Sequence, residues 1–563
     1  MQPLIIVGID GADWAVIEKS IAYGQLPNIS ALIKRGLRTE LNSTMPPATL
    51  PAWMSFLCGA NPAEHGLVDM FVHPPQSYAI RPATTELQKL PTFLSRLAQK
   101  GLAVASLGVP GTYPPDKSLG LCIAGFDAPG VSHASKNSIH PTSAYRQIQS
   151  LGGWRYAIVN EQQHPGSKLA QKLINDLTIK ERVILWAYAK QHWDVFFVHI
   201  QAADTAGHHL WHTYDVTSPR FRNSSAINAL TSVYSRIDQL IGRLLAKAPT
   251  NARVMLISDH GMGGASDIAV HLNRVLSELD LLRFKNNSKS HINRYLGVIF
   301  RNISSRLPAY IFSVLLRILP NTLIMRALSL SRALNIDYAN SAAFSDELDY
   351  APSVWLNRRG VFPYGQVDDT KADAILKRIR HALLALRHPD SNAPLVNAVY
   401  LRDEIFSHPA AAITPDLIIE PAWPSGFRAS FLPSFRLGPK IRRLATKELT
   451  AGRGYGMPGV HRQQGIFLAV GPLLPAIEAP ILSIAEAGAL VYALAGITPP
   501  PDLKVKLQGF WQELALALTK NDKLSNTPSA QLCPNNSAAI PAALDATQQA
   551  ALTERLRNWG YID

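Results

Sequence analysis

Short apolar runs alternate with longer amphipathic stretches through the first 260 residues of the chain. The segment LIIVGID, residues 4–10, reads as a strand, unbroken in apolar residues as a strand covered on both faces must be. WAVIEKSIAY (14–23) and ISALIKRG (29–36) read as helices divided by the turn GQLPN, whose glycine and proline stop the first. GLAVASLGVP (101–110) predicts another strand and turn. Residues 167–191 predict one helix, DVFFVHIQ (194–201) a strand, residues 224–246 a helix and RVMLISDHG (253–261) a strand. Strands alternating with helices predict an α/β fold with a mostly parallel sheet flanked by helices.

That rhythm breaks at residues 283–340, a basic stretch whose short helical segments are divided by Pro308 and Pro320. It reads as an inserted cap. VWLN, NAVYLR and PDLIIEPAW return to strands, followed by the strand QGIFLAVG and the helix IAEAGALVYALAG. The organisation expected is a catalytic core over 1–282, a basic helical cap over 283–340, a second part of the core over 341–500, and a loose tail over 501–563 ending in a short helix. No internal repeat is visible.

Composition narrows the class. Hydrophobic residues make up 47% and charged residues 17% of 563, which is globular and not disordered. Three cysteines (Cys58, Cys122, Cys533) show no paired spacing, which argues against a disulfide framework. Asp10 ends a strand that starts close to Met1, so cleavage of a signal peptide would remove it; the expectation is a cytoplasmic protein, peripheral to a membrane if it contacts one. The net charge of +14 is uneven: residues 283–332 hold nine Lys or Arg and no acid. A second basic cluster holds Arg436, Lys440, Arg442, Arg443 and Lys447. Each cluster suits an anionic substrate or an anionic membrane surface, and each equally suits a solvated face. No specific nucleic-acid binding is predicted.

Candidate chemistry sits where apolar runs end. Asp10 follows LIIVG; Asp204 and His208 lie in DTAGH; Asp259 and His260 follow VMLIS; His461 ends GVH. Asp and His side chains suit a hard-to-borderline divalent ion, and this set is large enough for two. The carboxyl ends of parallel strands are where an open α/β sheet places its site. Thr49, in PPATLPAW, offers a hydroxyl at the start of a helix, where backbone N–H groups favour phosphate. Taken singly, such a threonine is an N-cap and a DH pair is a polar turn. Their common order and placement at strand ends point to one site.

The segments VGIDGAD, STMPPATLPAWMSFLCGANPAEHG, WDVFFVHIQAADTAGHHLWH, LISDHGMG and GVHRQQGIFLAVGP together resemble the alkaline phosphatase superfamily, in its type I phosphodiesterase and nucleotide pyrophosphatase branch. The resemblance implies one ion held by Asp10, Asp259 and His260 with Thr49 bridging toward it. It implies a second ion held by Asp204, His208 and His461, with Gly207 letting the backbone turn between the first two. Zinc is the first choice, with manganese and magnesium open. It further implies a hydrolase that cuts a phosphodiester or pyrophosphate bond through a phosphothreonine at Thr49; the basic stretch extends the expected substrates from small molecules to a lipid-linked phosphodiester. Transfer to a glycan or lipid acceptor, a phosphate mutase, and a metal-stabilised binding protein are the alternatives. His209, His212 and Asp215 read as support or packing, His65 as a turn residue and Asp13 as a helix start. The chain departs from the branch at Ala52, where an asparagine is expected to hold the phosphate, so the N–H of Leu50 would have to serve. The stretch after Thr49 also lacks the sulfatase signature.

Overall fold

The computed structural model describes residues 2–129, 133–156, 166–222, 228–285, 336–406, 414–450, 456–522 and 544–558. Residues 286–335, most of the basic segment expected as a cap over 283–340, lie outside the described residues, and with them the membrane contact expected of that segment.

The central sheet has nine strands, in the order Leu482–Ser483, Leu37–Asn42, Gln464–Val470, Arg253–Ile257, Leu4–Ile9, Val195–Ile200, Val104–Val109, Leu121–Ala124 and Ile139–His140. From Arg253–Ile257 across to Leu121–Ala124 all neighbours run parallel. Gln464–Val470 runs antiparallel to both its neighbours, and Ile139–His140 runs antiparallel at the far edge. Every residue of Leu4–Ile9 and of Val195–Ile200 is buried, which explains their unbroken apolar character.

Helices cover the sheet in two groups. Gly166–Ala189, Ala202–Tyr214 and Ala229–Leu245 pack on one another. Ala229–Leu245 buries Leu230, Val233, Tyr234, Ile237, Leu240, Ile241 and Leu244, a stripe at helical spacing. In the other group Ile484–Leu494 packs between Thr49–Cys58 and Gly509–Asp522. The last of these corrects the expectation of a loose tail directly after residue 500. Trp511, Leu514, Ala515 and Leu518 are buried against the main core, at the i, i+3, i+4, i+7 spacing of a docked helix.

A second hydrophobic core draws on residues Ile268 to Phe431. Its antiparallel sheet runs Ala343–Phe344, Ser353–Leu356, Leu417–Pro421, Val396–Leu401, and the helix Asp369–Leu384 buries Leu376, Ile379 and Leu383 beside it. The ten-residue strand Gly261–Val270 links the two cores. It starts directly after His260 and ends with Ile268 and Val270 in the second core. Along its first half it pairs antiparallel with Gly459–Arg462, which sets Met262 opposite His461. Among the described residues no helix is long and apolar enough to cross a membrane.

Candidate metal centre

Three adjacent parallel strands deliver three aspartates to one end of the sheet. Asp10 follows Leu4–Ile9, Asp259 follows Arg253–Ile257, and Asp204 lies in the first turn of the helix Ala202–Tyr214 that follows Val195–Ile200. Gly11 makes the turn after Asp10 with φ +64, a conformation that L side chains rarely adopt. A Cβ there would also stand 3.0 Å from the Asp204 Cα, so the close approach of the two aspartates requires glycine. The Gly11 amide donates to Asp259 Oδ1 at 3.2 Å.

His208 sits one helical turn beyond Asp204, with its Nε2 3.1 Å from Asp204 Oδ1. Here the structure corrects the reading of Gly207, which is helical and makes no turn. A Cβ at Gly207 would meet the Met262 side chain at 2.6 Å, and one at Gly459 would meet the Gly207 carbonyl oxygen at 2.1 Å. Small residues thus let the strand Gly459–Arg462 lie against the helix, bringing His461 Nε2 to 2.8 Å from His208 Nε2 and 3.4 Å from Asp204 Oδ1. Ligand-type atoms of Asp10, Asp259 and His260 lie within 4.8 Å of one another, as do those of Asp204, His260 and His461. His260 stacks on His461 with ring centroids 3.6 Å apart, so the two groups adjoin.

Hydrogen bonding fixes what these side chains can offer. His208 Nδ1 is 2.8 Å from the Gly459 carbonyl, His461 Nδ1 is 2.7 Å from that of Pro47, and His260 Nδ1 is 3.1 Å from that of Gly261. A carbonyl only accepts, so each Nδ1 carries a hydrogen, and each ring turns its Nε2 toward the aspartates. Asp10 Oδ1, Asp204 Oδ1 and Asp259 Oδ2 are buried, and each has a histidine Nε2 within 3.6 Å. Three imidazole nitrogens and three carboxylate oxygens therefore converge in a buried space. That donor set fits divalent cations with nitrogen and oxygen ligands.

Burial, and then the neighbouring Asp10 and Asp204 carboxylates, push the Asp259 carboxyl well above its ordinary range. Burial opposes ionisation of Asp204 too, but His208 and His461 beside it hold its carboxyl well below the usual value. Burial, and then the adjacent His461, lower His260 to about 3, which keeps its imidazole neutral and able to ligate.

Thr49 is the first residue of the buried helix Thr49–Cys58, 1% exposed, with its Oγ1 3.3 Å from His260 Nε2. The Leu50 N–H faces the Met70 sulfur at 3.4 Å, a weak acceptor. All seven residues singled out from the sequence thus meet at one end of the sheet. Asp13 caps the helix Trp14–Ala22 by accepting from the Ala15 amide at 2.8 Å. His65 ends the short helix Pro62–His65, and its Nε2 lies 3.0 Å from Ser55 Oγ. Sequence reasoning missed His199 and Trp53, whose side chains both reach Asp10 Oδ2. In the sequence they are one histidine inside an apolar strand and one tryptophan inside an apolar helix, and nothing marks them.

A mostly parallel sheet with a buried, ligand-rich end is the architecture that the resemblance to the alkaline phosphatase superfamily implies. The model of the type I phosphodiesterase / nucleotide pyrophosphatase family matches residues 4–434, and the chain belongs to that family, whose members are metal-dependent hydrolases of phosphoric ester bonds. Among solved structures it is similar to phosphonoacetate hydrolase from Sinorhizobium meliloti 1021 in complex with phosphonoformate. Identity there is 15% and the TM-score 0.50, covering 88% of this chain and 96% of that one. Murine ectonucleotide pyrophosphatase / phosphodiesterase 5 shares 15% identity at a TM-score of 0.45, over 91% of this chain and 100% of that one. The human protein of the same name shares 14% at 0.46, over 91% and 99%. At these identities the likeness to phosphonoacetate hydrolase bears on the fold alone. No curated protein sequence matches the chain.

Proposed function

We propose that this chain cleaves a phosphodiester or pyrophosphate bond in a small-molecule or lipid-linked substrate, with Thr49 as nucleophile and two divalent ions, zinc first among the candidates, as cofactors. The observation that carries the reading is the Thr49 hydroxyl, 3.3 Å from His260 Nε2 at the opening of a buried helix and facing the ligand set. Asp10, Asp259 and His260 would hold one ion, with Thr49 directed toward it; Asp204, His208 and His461 would hold the other. When bound, the ions supply positive charge that favours the ionised form of the Thr49 hydroxyl and offsets charge building on the phosphoryl and leaving oxygens.

Thr49 Oγ attacks phosphorus in line after its proton passes to solvent. The Oγ–P bond forms as the bond from phosphorus to the leaving oxygen breaks, and that oxygen takes the electron pair. With a diester, the resulting phosphothreonine still carries the retained ester group. Water then attacks the same phosphorus, releasing a phosphomonoester and restoring the hydroxyl. The helix N-terminus at Thr49 favours the negative charge of the phosphoryl group. The Leu50 N–H, bonded only weakly by the Met70 sulfur, gains a better acceptor in a phosphoryl oxygen.

The test is turnover of the full chain, loaded with Zn²⁺ or Mn²⁺, against a panel of phosphodiesters, pyrophosphates and phosphomonoesters. Cleavage of a diester or pyrophosphate is expected, and Thr49→Ala should lower it by about 10³-fold or more while ions per chain stay unchanged. A Thr49→Ala chain keeping more than a few per cent of the activity would remove Thr49 from this role. Turnover of monoesters alone would overturn the diesterase reading.

A further inference from the structure

Asp10 differs from the other carboxylates in how firmly its second oxygen is engaged. His199 Nε2 lies 2.8 Å from Asp10 Oδ2, and Trp53 Nε1 lies 3.3 Å from the same atom. An ionised carboxylate only accepts, so both nitrogens donate to it. The two donors also brace each other: the imidazole meets the indole edge to face, with centroids 5.0 Å apart at 87°. His199 is 4% exposed and Trp53 fully buried, so water does not compete for either bond. Gly8 lies opposite His199 in the parallel register, and a Cβ at Gly8 would stand 2.6 Å from the indole ring. Glycine at that position lets the indole seat behind Asp10. His199 also borders a small cavity with Tyr156, Lys180 and Gln201.

We propose that His199 and Trp53 are positioning residues that restrain Asp10 to one free oxygen, Oδ1, and thereby set the affinity of the ion shared by Asp10, Asp259 and His260. Each commits its N–H to Asp10, so the ion held by Asp204, His208 and His461 is not under their control. Without the two donors, the Asp10 carboxylate rotates, and ordering it against a cation costs affinity. The inference rests on the two-ion reading above.

The full chain, dialysed against a chelator, is titrated with Zn²⁺ against a competing chromogenic chelator, and bound zinc is counted by elemental analysis. Two ions on the wild-type chain support the two-ion reading, and fewer than two overturn that reading before any variant is considered. For the inference itself, His199→Leu should weaken one ion by about 10- to 100-fold and leave the other within about threefold. His199→Gln, whose amide N–H can reach Asp10 from the same place, should recover most of the loss. Trp53→Phe, which keeps a ring and removes only the donor, should weaken the same ion by a smaller factor, and it supplies the reading if His199→Leu does not fold. Wild-type affinity for both ions in His199→Leu and Trp53→Phe, or equal weakening of both ions, would overturn the proposal. So would a His199→Gln chain no better than His199→Leu.

Discussion

The two proposed ligand groups are built by different means. Asp10, Asp259 and His260 stand at the ends of two hydrogen-bonded parallel strands in the middle of the sheet. Asp204, His208 and His461 are assembled from a helix and from a strand that returns after an excursion through the second core. The first group is as rigid as the sheet that carries it. The second depends on how closely the strand Gly459–Arg462 approaches the helix Ala202–Tyr214, and on what holds the segment before it. Arg220 does that holding. Fully buried, it donates from Nε to the Ser266 carbonyl at 2.7 Å, from one terminal nitrogen to the carbonyls of Gly456 and Met457, and from the other to Ser430 Oγ at 2.8 Å. One side chain thus ties the linking strand, the second core and the segment that leads to His461.

The largest effects should come from removing ligands one group at a time. Asp204→Ala or His461→Ala should lower bound zinc from two ions per chain toward one, and Asp259→Ala should do the same for the other ion. If any one of these empties both sites, the groups are not independent and the contrast between them collapses. Elemental analysis of the purified variants reads it directly.

Gly459→Ala should come next. Its methyl group collides with the backbone carbonyl of Gly207, which cannot swing aside as a side chain can, so the strand must move off the helix. His461 moves with it. The expected result is about a tenfold or greater loss in affinity for one ion with the other unchanged, measured by competition with a chelator. Unchanged binding of both ions would show that the close approach does not govern the second group.

Arg220→Met should have the mildest effect on binding and a clear one on stability. It removes donors from the buried carbonyls of Ser266 and Met457, the part-buried carbonyl of Gly456 and the Ser430 hydroxyl, and each buried group left unsatisfied costs about 1–3 kcal/mol, partly relieved by relaxation. A lower melting temperature is expected, together with a several-fold loss at the second ion alone. Thermal unfolding and zinc titration on the same sample separate the two. A weakening that falls equally on both ions would place Arg220 outside the account.

The contrast also explains what could be read from sequence. Asp10 and the Asp259–His260 pair end apolar runs, and Asp204 and His208 sit four residues apart just after another, so a continuous apolar run followed by a ligand is legible in the sequence. Alternation of strand and helix likewise implied the parallel sheet. Long-range registers were not visible. Nothing local in DVFFVHIQ shows that His199 faces Asp10 across a strand pair, because its neighbours make it look like one more core position. Gly207 was read as a turn because glycine beside a ligand suggests one, while its actual reason is a strand from residues 459–462 lying against it. The docked helix Gly509–Asp522 was hidden by the polar, alanine-rich sequence that follows it, although Trp511 and Leu518 kept the helical spacing.

The claim on which all of this turns is that the Thr49 oxygen bonds to phosphorus during turnover. The zinc-loaded chain, mixed with an aryl phosphodiester and quenched in acid within the first turnovers, can be digested and its peptides weighed. The account predicts a phosphoryl adduct that retains one ester group, on the peptide containing Thr49 and absent from Thr49→Ala. Hydrolysis that proceeds with no adduct at any quench time, or an adduct on another residue, would contradict it.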